Sequence, residues 1–338
     1  MILKKLEKGE FPPHFLYGAS KLKDHGIEVV WHKSKLGLPR WKMMIRNAWQ
    51  ILTCREDFDA VYATHYRGIE IIVLLRALGL FHKPIVIWHH QPVITPKSLW
   101  RELLGRLFYR GFDHMFFFSQ KLIDDSLKSK KARKERMHLG HWGMDVPERQ
   151  EEQAKPENKG FTFISSGKEM RDIPTLIEAF NRTGAQLDVF INRQNGDINY
   201  EEILRKLTIK ENIRIHFPDK LAPYEISQSV IQSDCVVICC QETKYTVGLT
   251  TVVEAMSLGK PIICSRNPQI PIDFDKEGCG ISVPYYDADG WTKAIDYMVA
   301  HPQEAEEMGK RGKQLAITTY NDKHCAEEVA DVLLNSIK

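Results

Sequence analysis

The sequence predicts an α/β protein that contains two doubly wound parallel sheets, and three observations support this. The chain has 338 residues, a length that suits two domains of about 150 residues each. Short β-branched runs alternate with helix-like stretches in the first half. The same alternation restarts after a polar segment at 147–160, which is the expected linker.

In the first half, four apolar runs have the length and composition of buried parallel strands. These runs cover 27–31, 60–63, 84–88 and 114–118. Residues 1–6 make a poor strand, and a loop entering a helix follows at 12–18. Either the first strand is missing or the chain starts too far downstream, and both alternatives stay open.

The second half repeats the pattern with five further strands, followed by a segment that is helical to the end. The predicted strands cover 161–164, 187–191, 213–215, 235–239 and 261–264. We therefore expect an N-terminal domain at 1–146, a second domain at 161–310, and a C-terminal helix at 311–338 that packs back on the first domain. Ligands of doubly wound sheets bind at the strand ends, which predicts a cleft between the domains.

The net charge of +3 conceals an asymmetry between the two halves. Residues 1–150 contain 26 Lys and Arg and 15 Asp and Glu, a balance of +11, which leaves −8 for the remainder. A basic half favours an anionic partner, namely nucleic acid, acidic lipid headgroups or a phosphorylated acceptor. A solvated basic face is the alternative, and composition does not decide between the two.

Composition also indicates the cellular compartment in which the protein is expected. No apolar run approaches the roughly 18 residues that span a bilayer, and the first residues lack the apolar segment of a signal peptide. The seven cysteines are scattered, without a CxxC pair. We therefore expect free thiols in a reducing cytoplasm, with neither a disulfide framework nor a zinc site.

The most informative stretch covers 245–263 and is predicted to be a small-residue turn, a helix and a strand. Gly248 allows the backbone to approach a ligand closely, and Thr250 and Thr251 offer hydroxyls and N–H groups at the helix start. Such a start suits a diphosphate, and Glu254 follows one turn later. The alternative is an ordinary capped helix with a solvated Glu254.

This stretch resembles the C-terminal signature of family 4 glycosyltransferases, in which "AMxxGKPVI" follows a Glu. Residues 254–263 match closely. The resemblance implies a retaining enzyme with the GT-B fold, two Rossmann-like domains around a central cleft, and a Glu254 that binds the donor ribose hydroxyls. Thr246 replaces the first Glu of the family signature. The donor-binding turn implied by the resemblance comprises Thr246, Gly248, Leu249, Thr250 and Thr251.

A second stretch, 164–180, resembles the first strand, turn and helix of the same donor domain. The family has a basic residue after the Gly and another a few positions on, and both bind the leaving diphosphate. Gly167, Lys168 and Arg171 match by position. A departing diphosphate gains negative charge in the transition state, so catalytic cations are chemically sensible here. Two surface cations at a helix entry are the alternative.

In the first half, His89 and His90 end a predicted strand. The family has a His near the transferred sugar at the corresponding place; His90 is the better match and His89 the second. The acceptor side is expected to include Gly18 as well. No third ligand is spaced near the His pair, so we expect no metal and no other cofactor.

The segment 38–52 is amphipathic and basic, with Trp41 and Trp49, and 128–136 adds a cluster of cations. A helix of this kind can lie on an anionic membrane. It can equally pack its apolar face into the core and leave the basic side in solvent. Lipid-linked acceptors are common in the resembled family, which keeps the membrane interpretation open beside the other.

These features together predict a metal-independent hexosyltransferase that moves a sugar from a nucleotide-sugar to a glycan or lipid-linked acceptor. The expected setting is cell-surface polysaccharide or glycolipid synthesis, in the cytoplasm or at the inner face of the membrane, with no nucleic-acid partner. The alternatives are a sugar-nucleotide epimerase on the same fold and a non-catalytic nucleotide-sugar-binding protein.

Overall fold

The computed structural model describes residues 6, 11–33, 37–146, 160–218 and 223–338, with backbone alone for 223–227. The chain forms two compact units. The N-terminal unit comprises Met1–Trp142 with Asp322–Lys338, and the C-terminal unit comprises Gly143–Asn321. Each unit has its own parallel sheet with helices in the connections, which confirms the predicted fold class.

The N-terminal unit contains a four-stranded parallel sheet in the order β1-β2-β3-β4. Its strands are β1 (Val61–Ala63), β2 (Ile85–Trp88), β3 (His114–Phe117) and β4 (Met137–Leu139). Val86 lies opposite His114 in the register. All four residues of β2 are buried, as expected for an inner strand covered on both faces.

The helices of this unit connect the strands. Two short 3₁₀ helices cover Pro13–Leu16 and Ala19–His25. The α-helices are α1 (Arg40–Leu52), α2 (Glu70–Ala77), α3 (Leu99–Arg110) and α4 (Gln120–Leu127). Helices α1 and α3 both pack against α2, so the three form one neighbouring group.

The C-terminal unit contains a six-stranded parallel sheet and a separate small hairpin. Its elements from β5 to β9 are β5 (Thr162–Gly167), α5 (Ile173–Thr183), β6 (Gln186–Ile191), the hairpin β7 (Gln194–Asn195) and β8 (Ile198–Asn199), α6 (Tyr200–Arg205) and β9 (Ile213–His216). Those that follow are α7 (Pro223–Gln232), β10 (Cys235–Ile238), α8 (Leu249–Ser257), β11 (Ile262–Ser265), α9 (Phe274–Glu277), β12 (Gly280–Val283), α10 (Ala288–Ala300) and α11 (Pro302–Thr318). The sheet order is β12-β11-β10-β5-β6-β9.

Local sequence explains why α5 begins and ends where it does. The side chain of Asp172 accepts a hydrogen bond from the Thr175 N–H and so caps the first turn. Pro174 occupies the start of the helix, where its missing N–H costs nothing. Gly184 ends the helix in the left-handed conformation, with φ of 72°. The apolar face between these signals is buried against the sheet.

The last helix, α12 (Asp322–Ser336), belongs to the N-terminal unit, whereas α11 belongs to the C-terminal unit. The expected single helix at 311–338 is therefore two helices, and the structure places the break at 319–321. The side-chain amide of Asn321 donates to the carbonyls of Ala316 and Ile317, at 2.9 and 3.0 Å. These bonds satisfy the last carbonyls of α11 and end it.

Three other differences from the sequence-based prediction concern strands. The segment 27–31 was predicted to be a strand but has no regular structure, and none of its residues is buried. Its β-branched composition lacks the neighbouring strand that would make it part of a sheet. Strands β4 and β12 and the β7–β8 hairpin were not predicted. Strand β4 has a His in its centre and the hairpin is mostly Gln and Asn, so neither shows an apolar run. Most of the expected linker, 147–159, lies outside the described residues.

Candidate functional site

In the C-terminal unit the strand order changes direction between β5 and β10. The chain adds β6 and β9 on one side of β5, then returns to add β10, β11 and β12 on the other. Val236 of β10 lies opposite Ile164 of β5. Connections leave such a strand pair in opposite directions, and ligands bind in the crevice beyond their carboxyl ends. The loops that follow these two strands therefore form the candidate site.

At the end of β5, Gly167 brings the backbone against the side chain of Arg171. Gly167 has φ of 150°, and a Cβ there would overlap the guanidinium of Arg171. A larger residue at 167 would displace Arg171. The predicted glycine and the predicted cation therefore form one structural feature.

Arg171 is only 4% exposed, and its guanidinium is held by neutral acceptors. Its Nη atoms donate to the carbonyls of Glu169 (3.1 Å) and Ser166 (3.0 Å), to Cys240 Sγ (3.2 Å) and to Thr251 Oγ1 (3.4 Å). Its Nε is shielded from solvent and has no hydrogen-bond partner among the described residues. None of these hydrogen-bond partners is an anion that would neutralise the guanidinium, so this position can bind an anionic ligand.

The second loop ends at the start of α8. Gly248 is the N-cap residue, with φ of 91° and no side-chain cap. A Cβ at 248 would lie 2.8 Å from Ile238 Cγ2, so the turn requires glycine. The N–H of Leu249 donates to the Thr246 carbonyl (3.3 Å). The next N–H groups, those of Thr250 and Thr251, point beyond the helix start, as the first N–H groups of an α-helix do.

Glu254 lies one turn further along α8, and its carboxyl group is poorly solvated. Its Oε1 atom is shielded from solvent and has no hydrogen-bond partner among the described residues. Burial raises the pKa of Glu254 from 4.5 to about 8, and the charge of Lys168 opposes that rise. The exposed Lys168 ammonium therefore lies near enough to act on this carboxyl. A buried, unpartnered acceptor of this kind is expected where a ligand supplies the missing donors.

Several residues that hold this site were not predicted. The Tyr200 hydroxyl accepts a hydrogen bond from the Arg171 backbone N–H (3.0 Å), and the Asn195 amide donates to the Lys168 carbonyl (2.6 Å). Both come from the hairpin and helix after β6, far along the sequence from the loop that they support. No sequence motif marks them, because their role depends on the fold.

In the N-terminal unit, the two predicted histidines differ in their surroundings. His89 is buried; its Nδ1 donates to the Gln91 carbonyl (2.5 Å), and its Nε2 faces the Tyr109 hydroxyl (2.8 Å). Burial lowers the pKa of His89 to about 4, so it is neutral. His90 is half-buried, and its Nε2 donates to the Thr64 carbonyl (2.9 Å). Because both ring nitrogens of His89 are engaged, His90 is the better candidate to meet a ligand.

Gly18, the third predicted residue of this unit, packs against α12. Its N–H donates to Asp322 Oδ1 (2.9 Å). With φ of 79°, a Cβ at 18 would lie 2.6 Å from the Ala326 Cα. The structure therefore explains this glycine by close packing inside the N-terminal unit.

The same unit has an unusually apolar helical surface. On α1, Trp41, Ile45, Trp49 and Leu52 are all more than half exposed, at 60, 56, 69 and 54%. These four side chains are therefore not packed into the core, whereas Ala48 on the same helix is buried. The first turns of α3 add Leu99, Trp100, Leu103 and Leu104, of which Trp100 is 76% exposed. None of the described helices is long and apolar enough to cross a membrane.

Comparisons with known proteins identify the family and the fold. Residues 145–315 match the family described as Glycosyl transferases group 1. The MMP alpha-(1->4)-mannosyltransferase of Mycolicibacterium hassiacum is 21% identical over 323 residues, which cover 89% of this chain and 76% of that protein. Solved structures were compared as well, and two of those with a similar fold illustrate the result.

The structure of Anabaena Alr3699/HepE in complex with UDP has a TM-score of 0.68 at 13% identity, and the match covers 94% of this chain and 88% of that one. Sucrose-phosphate synthase from Thermosynechococcus elongatus has a TM-score of 0.69 at 14% identity, with 91% and 85% covered.

The structural likeness, at these identities, concerns the fold, which is GT-B. The family match is independent of it and spans just over half of the chain, including the whole loop from Gly167 to Arg171 and all of α8. The chain therefore belongs to the group 1 glycosyltransferase family.

Proposed function

We propose that this glycosyltransferase uses a nucleotide-sugar donor, transfers a hexose with retention, and delivers it to a lipid-linked or glycan acceptor in polysaccharide or glycolipid synthesis. The main support for the proposal comes from the buried polar groups of two side chains, Arg171 and Glu254, in the loops and helix that follow β5 and β10. Arg171 is a cation with neutral partners, and Glu254 has an acceptor atom without a donor. A nucleoside diphosphate offers an anion for the first group and a pair of ribose hydroxyls for the second.

In this proposal the diphosphate lies against the start of α8. Lys168 and Arg171 bind its oxygens, together with the N–H groups of Thr250 and Thr251. A helix terminus contributes roughly 0.3–1 kcal/mol to a bound anion, and each charge-assisted hydrogen bond about 1.5–3 kcal/mol. Glu254 then accepts from the ribose hydroxyls, which supply its missing donors.

The transfer step breaks the bond between the sugar anomeric carbon and the diphosphate oxygen. The acceptor oxygen forms the new bond on the same face, and its proton passes to the leaving phosphate. No protein nucleophile is required. Negative charge grows on the diphosphate as the bond breaks, and the cations at 168 and 171 stabilise it most in the transition state. Since these side chains compensate the phosphate charge, we propose that the step is metal-independent.

Two relatives support the donor class. The Mycolicibacterium hassiacum relative is a mannosyltransferase, and the Anabaena protein was solved with UDP. On the acceptor side we propose His90, close to the transferred sugar, rather than His89. Thr246 presents a neutral hydroxyl where the family signature has its first Glu.

The exposed faces of α1 and α3 suggest a membrane surface, and a membrane is where a lipid-linked acceptor would be found. Each helix exposes tryptophan and aliphatic side chains, and each also carries basic residues. On α1 these are Arg40, Lys42 and Arg46. An apolar face flanked by cations fits the interface of an anionic bilayer, where each cation near the surface contributes about 1 kcal/mol. We therefore propose peripheral binding to anionic lipid and a lipid-linked acceptor.

Thermal unfolding with a panel of UDP-, GDP- and ADP-sugars tests the donor proposal. A ligand at 100 times its dissociation constant adds about 2.7 kcal/mol of stability. We expect one base to stabilise the wild-type protein and the Glu254→Ala variant to lose that response. Turnover of the nucleotide-sugar without any acceptor would instead indicate an epimerase. If no nucleotide-sugar stabilises the folded wild-type protein, the proposal fails.

A further inference from the structure

Two histidines and a glutamate converge in the N-terminal unit, away from the residues discussed above. His141 follows β4, and His324 and Glu328 lie one turn apart on α12. One ligand atom from each of the three lies within 4.8 Å of the others. We propose that this His141–His324–Glu328 cluster binds a zinc ion that ties α12 to the chain segment after β4.

The carboxylate is oriented for such a role. Glu328 Oε2 accepts from the His141 backbone N–H (2.8 Å), which fixes the plane of the carboxylate. The other oxygen, Oε1, lies 2.6 Å from His141 Nδ1 and 3.6 Å from His324 Nε2. Both imidazoles therefore direct a ring nitrogen at a single oxygen.

A second carboxylate, that of Glu327, lies near the other ring nitrogen of His324. This nitrogen, Nδ1, lies 3.6 Å from Glu327 Oε2. Histidines that bind metals usually donate their second ring N–H to such a group, which fixes the tautomer and the ring orientation. A contact of 3.6 Å is longer than a hydrogen bond, so Glu327 orients this ring only once it moves closer, with Nε2 facing Glu328 and the proposed ion.

The distances suit zinc with little rearrangement. Bonds of 2.0–2.2 Å in a tetrahedral site place neighbouring ligand atoms about 3.3 Å apart. The distance from His324 Nε2 to Glu328 Oε1 is already 3.6 Å, and the His141 to Glu328 distance of 2.6 Å must widen by less than about 1 Å. The ion replaces the proton that His141 and Glu328 now share. Two His and one Glu leave the fourth position to water, and all three side chains are 21–35% exposed, so water can reach it.

Without metal, His141 and Glu328 form a hydrogen-bonded pair with His324 beside it, and a binding experiment separates the two cases. The test uses the untagged full chain, stripped with a chelator and titrated with zinc chloride in a calorimeter. We expect saturable binding of one zinc per chain. Zinc should also raise the thermal midpoint of unfolding.

His324→Ala is the decisive variant, because it removes one of the three proposed ligands and leaves the hydrogen bonds between His141 and Glu328 in place. It should fold, as checked by far-UV circular dichroism, and bind zinc at least about tenfold more weakly, as should His141→Ala and Glu328→Gln. Glu327→Gln should weaken zinc by about tenfold or more through orientation alone. The control His82→Ala removes an exposed histidine outside the cluster and should leave binding unchanged.

Two results would overturn the inference: a wild-type chain that shows no saturable one-to-one binding at micromolar zinc, or a folded His324→Ala variant that binds zinc as tightly as the wild type. Nucleotide binding is measured separately in the same samples. Since the cluster and the β5–β10 loops belong to different units, loss of one function leaves the other readable.

Discussion

Replacing Glu254 with Gln should stabilise the free protein at alkaline pH. Burial raises the pKa of Glu254 from 4.5 to about 8. The folded chain therefore keeps a proton that the unfolded chain loses, and stability falls as the pH rises from about 4.5 to about 8. At 1.36 kcal/mol for each pKa unit, the upper limit of this loss is about 5 kcal/mol, complete above pH 8. A neutral Gln side chain avoids the loss.

Thermal unfolding from pH 5 to pH 9 measures this effect. We expect Glu254→Gln and the wild type to unfold at similar temperatures near pH 5, and to diverge as the pH rises. Each kcal/mol corresponds to about 2–4 °C in a unit of this size. Glu211→Gln, at an exposed position, is the matched control and should follow the wild type. Parallel wild-type and Glu254→Gln curves across the whole range would refute the reasoning.

The same substitution should act in the opposite direction on nucleotide binding. Ribose hydroxyls donate best to an ionised carboxylate, so wild-type affinity for the nucleotide should rise between pH 6 and pH 8, as the free carboxyl approaches its pKa of about 8. Glu254→Gln should lose about 1.5–3 kcal/mol of binding and show a flatter pH profile. Calorimetry with the responding nucleotide decides the matter. Unaltered affinity in the variant would remove Glu254 from the ribose site.

Further predictions concern the cations and the apolar helices. Lys168→Ala and Arg171→Ala should each lower kcat more than they weaken nucleoside binding, since their target is charge that grows in the transition state; equal losses in pre-steady-state and binding assays would count against this. Wild-type transfer should persist in EDTA, and activity restored only by added magnesium or manganese would contradict the metal-independent step. Trp41→Ser with Trp49→Ser should reduce sedimentation with anionic vesicles at low salt, whereas Ile317→Ser, exposed in the C-terminal unit, should not. A wild-type chain that never sediments with them would make a soluble acceptor the better proposal.

Reversing the charges on α1 would be a poor test of membrane binding. Arg40 pairs with Glu70 at 2.7 Å, and the Glu70 side chain is only 9% exposed. Reversing the charge at Arg40 would leave a buried carboxylate without its partner and would destabilise the unit. The exposed tryptophans are better targets, because neither supports the core through its side chain.

How much of the fold the sequence could predict depends on burial. The run at 84–88 is apolar at every position and became β2, buried throughout. The run at 27–31 has a similar composition but remained irregular, because strand formation needs a neighbour that composition does not encode. The strand β4 is only three residues long and has a His in its centre, so no pattern marked it.

The candidate site divides in the same way. Gly167 and Gly248 could be predicted, since a close backbone approach requires glycine and each lies in a short local motif. The lack of a hydrogen-bond partner at Glu254 Oε1 within the described part of the chain could not be predicted, because it depends on which side chains the fold places around that atom. The proposed zinc cluster was missed for a related reason: His141 and Glu328 are separated by 187 positions, and only the packing of α12 brings them together.

The N-terminal unit combines chain segments from both sides of the C-terminal unit, and this affects how the protein is made. Gly18 cannot donate to Asp322 until the segment Asp322–Lys338 has been synthesised. On the ribosome, the C-terminal unit is therefore complete in sequence before the N-terminal unit. During that interval the 3₁₀ helix at Ala19–His25 lacks the helix that covers it. A fragment that stops before α12 should accordingly be prone to aggregation, and an isolated N-terminal unit would need its last helix supplied through a short artificial linker.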